Sequence, residues 1–148
     1  MDDQEQFLKE NPVSKVLDDL WLGNIYSAED KNFLDDNNIK TIINLSSFEV
    51  KHPKDFDVLD INIKDDPEED ISLYFNLCYD FIENKKTNIL VHCYAGVSRS
   101  ATVVLYYLMR KYDISLHDAM KFLTQKRSFI RPNPGFMVNL IEYDLYRN

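Results

Sequence analysis

Apolar and polar positions alternate along this chain in a rhythm that changes period several times. From Val13 to Leu22 short apolar stretches flank Asp18 and Asp19, the pattern of an edge hairpin or two short strands. Gly23 and Asn24 can make the turn that follows. Ser27 precedes Asp30 by three positions, a capping-box spacing that predicts a short helix through Phe33 and Leu34, ended by Asn37 and Asn38. Thr41 to Leu45 reads as a buried strand and Val58 to Ile63 as a second, alternating one, with Lys51, His52, Pro53 and Lys54 as loop chemistry between them. Lys64 to Asp70, KDDPEED, sets a proline among charges and predicts an exposed loop, with Asp70 capping the next helix.

Ile71, Tyr74, Phe75, Cys78, Phe81 and Ile82 recur at three- and four-residue spacings, which predicts an amphipathic helix. Asn88 to His92 is a short apolar strand. Residues 100 to 112 are apolar on nearly all sides, as expected of a centrally buried helix. Ser115 and Asp118 form another capping box, opening a helix with Leu116, Ala119, Met120 and Leu123 inward. Pro132 and Pro134 break the chain before a last helix that carries Phe136, Met137, Leu140 and Ile141 on one face.

This order of elements predicts an α/β fold: a central, mostly parallel, twisted sheet covered by helices. The 148 residues suit one domain, read as residues 13–148, preceded by a polar and partly disordered arm over residues 1–12. Seventeen Lys and Arg against twenty-five Asp and Glu give a net charge of -8, which argues against coating nucleic acid or an anionic membrane. A small anionic ligand, which feels one pocket rather than the total, is still allowed. Cys78, Cys93 and three histidines offer no zinc spacing, and so few thiols point to a reducing compartment, the cytoplasm or the nucleus. The start, MDDQEQFLKENP, lacks the basic and apolar stretches of a secretory signal, and no run is long enough to span a bilayer.

The strongest local signal is VHCYAGVSRSAT, residues 91–102. An apolar strand ends at His92 and Cys93, a small-residue loop containing Gly96 follows, and a buried helix begins near Arg99. A tight loop that turns successive N–H groups inward makes an anion nest, and the helix N-terminus adds to the same field. Arg99 can grip two oxygens of a phosphate with its planar fork. The same field favours an ionised Cys93: thiols in such sites titrate at about 3.5 to 7.5 rather than near 8.5. A thiolate under a phosphate cradle is a nucleophile with its target, and it calls for no metal or cofactor. The competing reading of Cys93 is a small buried hydrophobe at a strand end. Cys78, on the apolar stripe of its helix, reads as core packing, with a redox partnership to Cys93 as the alternative.

The stretch His92 to Thr102, HCYAGVSRSAT, resembles the signature of the small dual-specificity phosphatases among the cysteine-dependent protein phosphatases. Leu17 to Asp30, Thr41 to Ser46 and Arg131 to Leu140 resemble the family's opening segment, first buried strand and proline–asparagine segment, so the likeness covers nearly all but the first dozen residues. It implies hydrolysis of phosphotyrosine and phosphoserine or phosphothreonine in a phosphorylated protein through a phosphocysteine. Cys93 would be the nucleophile, and Arg99 with the backbone of Tyr94, Ala95, Gly96, Val97 and Ser98 the phosphate cradle. Ser100 would hydrogen-bond the departing sulfur and His92 orient the loop, a role that overlaps with that of an ordinary structural histidine.

The resemblance also implies a general acid on the acidic loop, five residues before the polar start of the next helix, which is Asp65, with Asp66 as the neighbouring candidate. No convincing copy of the aromatic recognition loop of deep-pocket tyrosine phosphatases is found, so a shallow pocket is expected. The absence of lysine between Cys93 and Arg99 argues against a polyanionic lipid headgroup. Lys126 to Arg131 is either a basic patch for a phosphorylated partner or a solvated helix end. The same chemistry on an RNA 5′ end or a phosphorylated sugar, and phosphate recognition without turnover, are the competing functions.

Overall fold

The computed structural model describes residues 2–147. Five strands form one sheet in the order β1 (Val13–Leu17), β2 (Leu20–Gly23), β5 (Asn88–His92), β3 (Ile39–Asn44), β4 (Asp57–Asp60). The edge pair β1–β2 is antiparallel, as the Asp18–Asp19 turn predicts, and the remaining pairs are parallel. The strand expected over Val58 to Ile63 keeps its ladder only to Asp60, although Ile61 N–H still donates to Asn44 O at 2.8 Å.

Alternation along the central strands divides the core in two. Leu20, Leu22, Ile43, Ile89 and Val91 face α4 (Phe75–Glu83), α5 (Arg99–Tyr112), α6 (Leu116–Lys126) and α7 (Pro134–Tyr146). Trp21, Ile42 and Leu90 face the smaller layer made by α2 (Ile25–Ala28) and α3 (Lys31–Asp36). β5 is thus covered on both faces, and Ile89, Leu90 and Val91 are fully buried. Ten consecutive residues of α5, Ser100 to Met109, are buried too, which explains its all-round apolar pattern.

Several local expectations are corrected. Residues Asp3–Glu10 of the expected arm form a helix, α1, capped by Asp2, which accepts from Glu5 N–H at 2.7 Å. Ser27 does not cap a helix. Asn24 caps α2, Asp30 caps α3 by accepting from Phe33 N–H at 3.1 Å, and the Ser27 hydroxyl turns back to Asn24 O. Asp70 caps as expected, but it opens a 3-10 turn, Ile71–Tyr74, before α4 begins. On α7 Phe136 and Leu140 are buried, whereas Ile141 is exposed.

Register places the functional end. Gly23 of β2 and Asn44 of β3 both lie opposite His92 of β5, and Asp60 of β4 lies opposite Asn44. The carboxyl ends of four strands are therefore level, and the loops leaving them converge at the edge where α/β sheets place ligands.

Candidate active site

The segment from β5 to α5 is shaped by where its carbonyls go. Tyr94 O accepts from Ile25 N–H at 3.0 Å, Gly96 O from Arg127 Nε at 2.8 Å, and Val97 O from Arg131 N–H at 2.8 Å. With these carbonyls turned outward, the peptide planes present their amides to the interior of the curl. Gly96 N–H already donates to Cys93 Sγ at 3.2 Å. Gly96 makes the bend with φ of 69°, and a Cβ there would lie 2.7 Å from Gly23 O and from an Arg127 nitrogen, so only glycine fits.

The sulfur of Cys93 sits at the floor of this loop, 3.1 Å from Ser100 Oγ, with the residue 2% exposed. Arg99, the first residue of α5, donates Nη1 to Ile63 O at 3.1 Å, while its buried Nε has no partner. Bare polar hydrogens are rare in buried positions, and here one belongs to a cation suited to phosphate. The structure thus brings Cys93, Gly96, Arg99 and Ser100 together.

Ile63, which anchors Arg99, leads into the acidic loop. Asp65 Oδ1 accepts from Asn133 Nδ2 at 2.9 Å, and Asp65 lines an open cleft of about 370 Å³ together with Ser46, Ser47, Phe48, Lys64, Tyr94 and Arg99. Asp66 has a different occupation. Its carboxylate accepts from Glu68 N–H at 2.8 Å and its carbonyl from Glu69 N–H at 3.0 Å, which makes it the hinge of the turn. Gly135 holds this turn against α7: a Cβ there would lie 1.9 Å from Pro67 O. A larger recess of about 460 Å³, between α2–α3 and the β3–β4 loop, contains His52 and Phe56 but no residue of the phosphate loop, whereas Tyr94 and Arg99 line the smaller cleft.

Two residues passed over as individuals in the sequence organise the site. Asn133 caps α7 by accepting from Phe136 N–H, donates its own N–H to Ser98 Oγ at 2.9 Å and holds Asp65. One residue thereby ties three elements, its backbone N–H holding the phosphate loop and its side chain the acidic loop and the last helix. Arg127, in the segment expected to be a surface patch or a helix end, is 2% exposed instead. Besides Gly96 O it donates to Ser14 Oγ and Asn11 O, each at 3.1 Å, and it stacks on Phe129. Burial pulls its guanidinium down to about 10, partly offset by nearby Cys93, and it stays charged at neutral pH. Cys78 is packed in the core, and burial pushes its thiol up to about 12, which leaves it unreactive.

His92 is fully buried, and Nδ1 donates to Cys93 O at 3.4 Å while Nε2 has no partner. Burial lowers its pKa to about 4. In the unfolded chain an imidazole titrates near ~6.5, so between those values the unfolded state holds a proton that the native state refuses. His92 therefore contributes stability that is complete above about pH 6.5 and is lost as pH falls towards 4. Roughly 2 kcal/mol should disappear between pH 6.5 and 5. His52, also lowered by burial, acts in the same direction. Urea unfolding across this range should show a steep slope in the wild type and a clearly shallower one in His92→Gln; parallel slopes would refute the assignment.

Comparison with known proteins agrees with this geometry. Residues 20–145 match the family model "Dual specificity phosphatase, catalytic domain". The chain is 42% identical over 134 residues to a probable dual specificity protein phosphatase of Dictyostelium discoideum, covering 89% of this chain and 63% of that one. It is 39% identical to human dual specificity protein phosphatase 1, over 88% of this chain but only 36% of that protein. The crystal structure of DUSP15 superposes with a TM-score of 0.88 at 34% identity, covering 93% of this chain and 90% of that one. With a strand–loop–helix that curls around a cysteine and opens its helix on an arginine, and with this extent of match, the chain belongs to the dual specificity phosphatase catalytic domain family, cysteine-dependent enzymes that remove phosphate from phosphorylated substrates.

Proposed function

We propose that this domain hydrolyses phosphotyrosine and phosphoserine or phosphothreonine monoesters in proteins, in the cytoplasm or nucleus, through a phosphocysteine intermediate. The observation that carries the reading is the sulfur of Cys93, 3.2 Å from Gly96 N–H and 3.1 Å from Ser100 Oγ, within a loop whose Tyr94 and Arg99 share a cleft with Asp65. Two free thiols suit a reducing compartment, and the acidic total charge suits a protein substrate better than RNA. No described helix is long and apolar enough to cross a membrane.

In the first step the Cys93 sulfur attacks phosphorus, forming an S–P bond as the ester P–O bond breaks. Protonated Asp65 gives its proton to the departing oxygen, and Asn133 keeps that carboxyl aimed at the cleft. Arg99 and the amides of residues 94–99 hold the equatorial oxygens, where charge gathers in the transition state. In the second step water attacks phosphorus, Asp65 as carboxylate takes its proton, and the S–P bond breaks. Ser100 hydrogen-bonds the sulfur as it leaves.

Asparagine variants of the acidic loop test the assignment. Asp65→Asn should lower kcat/KM on a phosphothreonyl peptide by about 10² to 10⁴, the usual worth of a positioned acid. The loss should be smaller on p-nitrophenyl phosphate, whose leaving group needs little proton assistance. Asp66→Asn should stay within about threefold of wild type, because Asp66 is engaged in its own turn. Exchanged results would move the acid to Asp66, and no turnover of any phosphopeptide by the wild type would overturn the proposed function.

A further inference from the structure

Phe48 is 57% exposed, yet its backbone is fixed. Its carbonyl accepts from Asn44 Nδ2 at 2.8 Å and from Ser46 Oγ at 3.3 Å, and its N–H donates to Ser46 Oγ at 3.1 Å. Ser47, with φ of 66°, closes the loop by donating Oγ to Ile63 O at 3.0 Å, the same carbonyl that holds Arg99. The Phe48 ring is thereby presented to the Tyr94 ring, with centroids 5.5 Å apart and planes tilted by 39°. Both rings line the cleft that contains Arg99 and Asp65. A single exposed aromatic needs no explanation, but a pinned one beside the phosphate loop has a defined shape to offer a ligand.

Tyr94 is fixed from its other end. Its hydroxyl donates to Glu5 Oε1 at 2.7 Å, and Glu5 Oε2 accepts from the hydroxyl of Tyr26. The bonds from Tyr26 and Tyr94 hold the Glu5 carboxyl below its ordinary range. Glu5 in turn is carried by α1, which is docked by buried Leu8, by Asn24 Nδ2 donating to Leu8 O at 2.8 Å and by Phe7 edge-on to Phe129 at 4.9 Å. The first turns of the chain thus set the orientation of a ring at the mouth of the site.

We infer that Phe48 and Tyr94 form an aryl-binding wall that makes the enzyme prefer phosphotyrosyl over phosphothreonyl substrates, with Glu5 of α1 as its positioning residue. The inference rests on the protein-phosphatase reading and names which of its substrates gains most. With phosphate on Arg99, a phosphotyrosine must thread its ring past the lining of the cleft, where it meets two aromatic faces. A phosphothreonine brings only a methyl group to the same place. Aromatic contact of this kind is worth about two- to tenfold in an equilibrium or rate ratio.

The test compares kcat/KM on two peptides of identical sequence, one phosphotyrosyl and one phosphothreonyl. Phe48→Ala should lower the phosphotyrosyl-to-phosphothreonyl ratio about fivefold. Glu5→Ala should lower it about threefold, mainly through KM on the phosphotyrosyl peptide, and Glu5→Gln, which still offers Tyr94 an acceptor, should recover much of the loss. Phe48 is on the surface, so its replacement leaves the fold intact even if Glu5→Ala loosens α1. A ratio unchanged in Phe48→Ala, whether both peptides slow or neither does, overturns the wall while leaving the phosphatase reading in place. Failure of the wild type on both peptides overturns the two together.

Discussion

Serine in place of Cys93 is expected to cut turnover by on the order of 10⁴ or more, the scale seen when an enzyme loses its nucleophile. The exchange changes one atom, and the surroundings explain why that atom decides the outcome. A thiol ionises far more readily than an alcohol, so the sulfur needs only donors to stabilise its charge, and Gly96 N–H and Ser100 Oγ lie at 3.2 and 3.1 Å. A serine hydroxyl would need a base. The nearest imidazole, His92, commits Nδ1 to Cys93 O and buries Nε2, and burial holds it neutral only by making it a poor proton acceptor. Asp65 accepts from Asn133 at 2.9 Å and makes no hydrogen bond to Cys93. Phosphopeptide binding should persist, because Arg99 and the amides are untouched. A serine variant that keeps more than about one per cent of wild-type turnover would remove Cys93 from the mechanism.

What the sequence disclosed about this site was what lies close together in the chain. His92, Cys93, Gly96, Arg99 and Ser100 fall within nine residues that connect one strand to one helix, and both elements have strong patterns because they are buried. Asp65 came from resemblance and counting. Its distinction from Asp66 is a matter of loop geometry, where one carboxylate reaches Asn133 and the other turns back on Glu68. Arg127 gave no such signal. Its acceptors are 31, 113 and 116 residues away, and a basic residue at a helix end is usually solvated.

The first dozen residues were missed for a related reason. Only Leu8 of α1 is buried, so the helix has no apolar stripe to read, and eight residues do not make a stable helix alone. Its hold comes from Asn24, Tyr26, Tyr94 and Phe129, all distant in sequence. Phe48 was overlooked because its role depends on loop bonds from Asn44 and Ser46 rather than on any periodicity. The fold class was legible because β3 and β5 are short apolar runs buried on both faces, set between helices with apolar stripes; these features were not, because tertiary contacts alone create them.

Arg99→Lys should lower kcat/KM by about 10² to 10³ with the charge conserved, which separates geometry from electrostatics. The guanidinium spends Nη1 on Ile63 O at 3.1 Å and still has its buried Nε and the remaining fork for a phosphate. Lysine has one nitrogen at the end of a flexible stem. It can reach the Ile63 carbonyl or one phosphate oxygen, and when it does the second, the loop carrying Asp65 loses one of its tethers, keeping those from Ser47 and Asn133. The loss should fall mainly on kcat, since the equatorial oxygens draw most on these donors as the P–O bond breaks. A probe of Cys93 distinguishes this from a collapsed site: iodoacetamide, which is neutral, should alkylate the variant at close to the wild-type rate, whereas anionic iodoacetate should lose its advantage. Equal slowing by both reagents would mean that the loop had rearranged. Full activity in Arg99→Lys would mean that the amide cradle alone carries the phosphate.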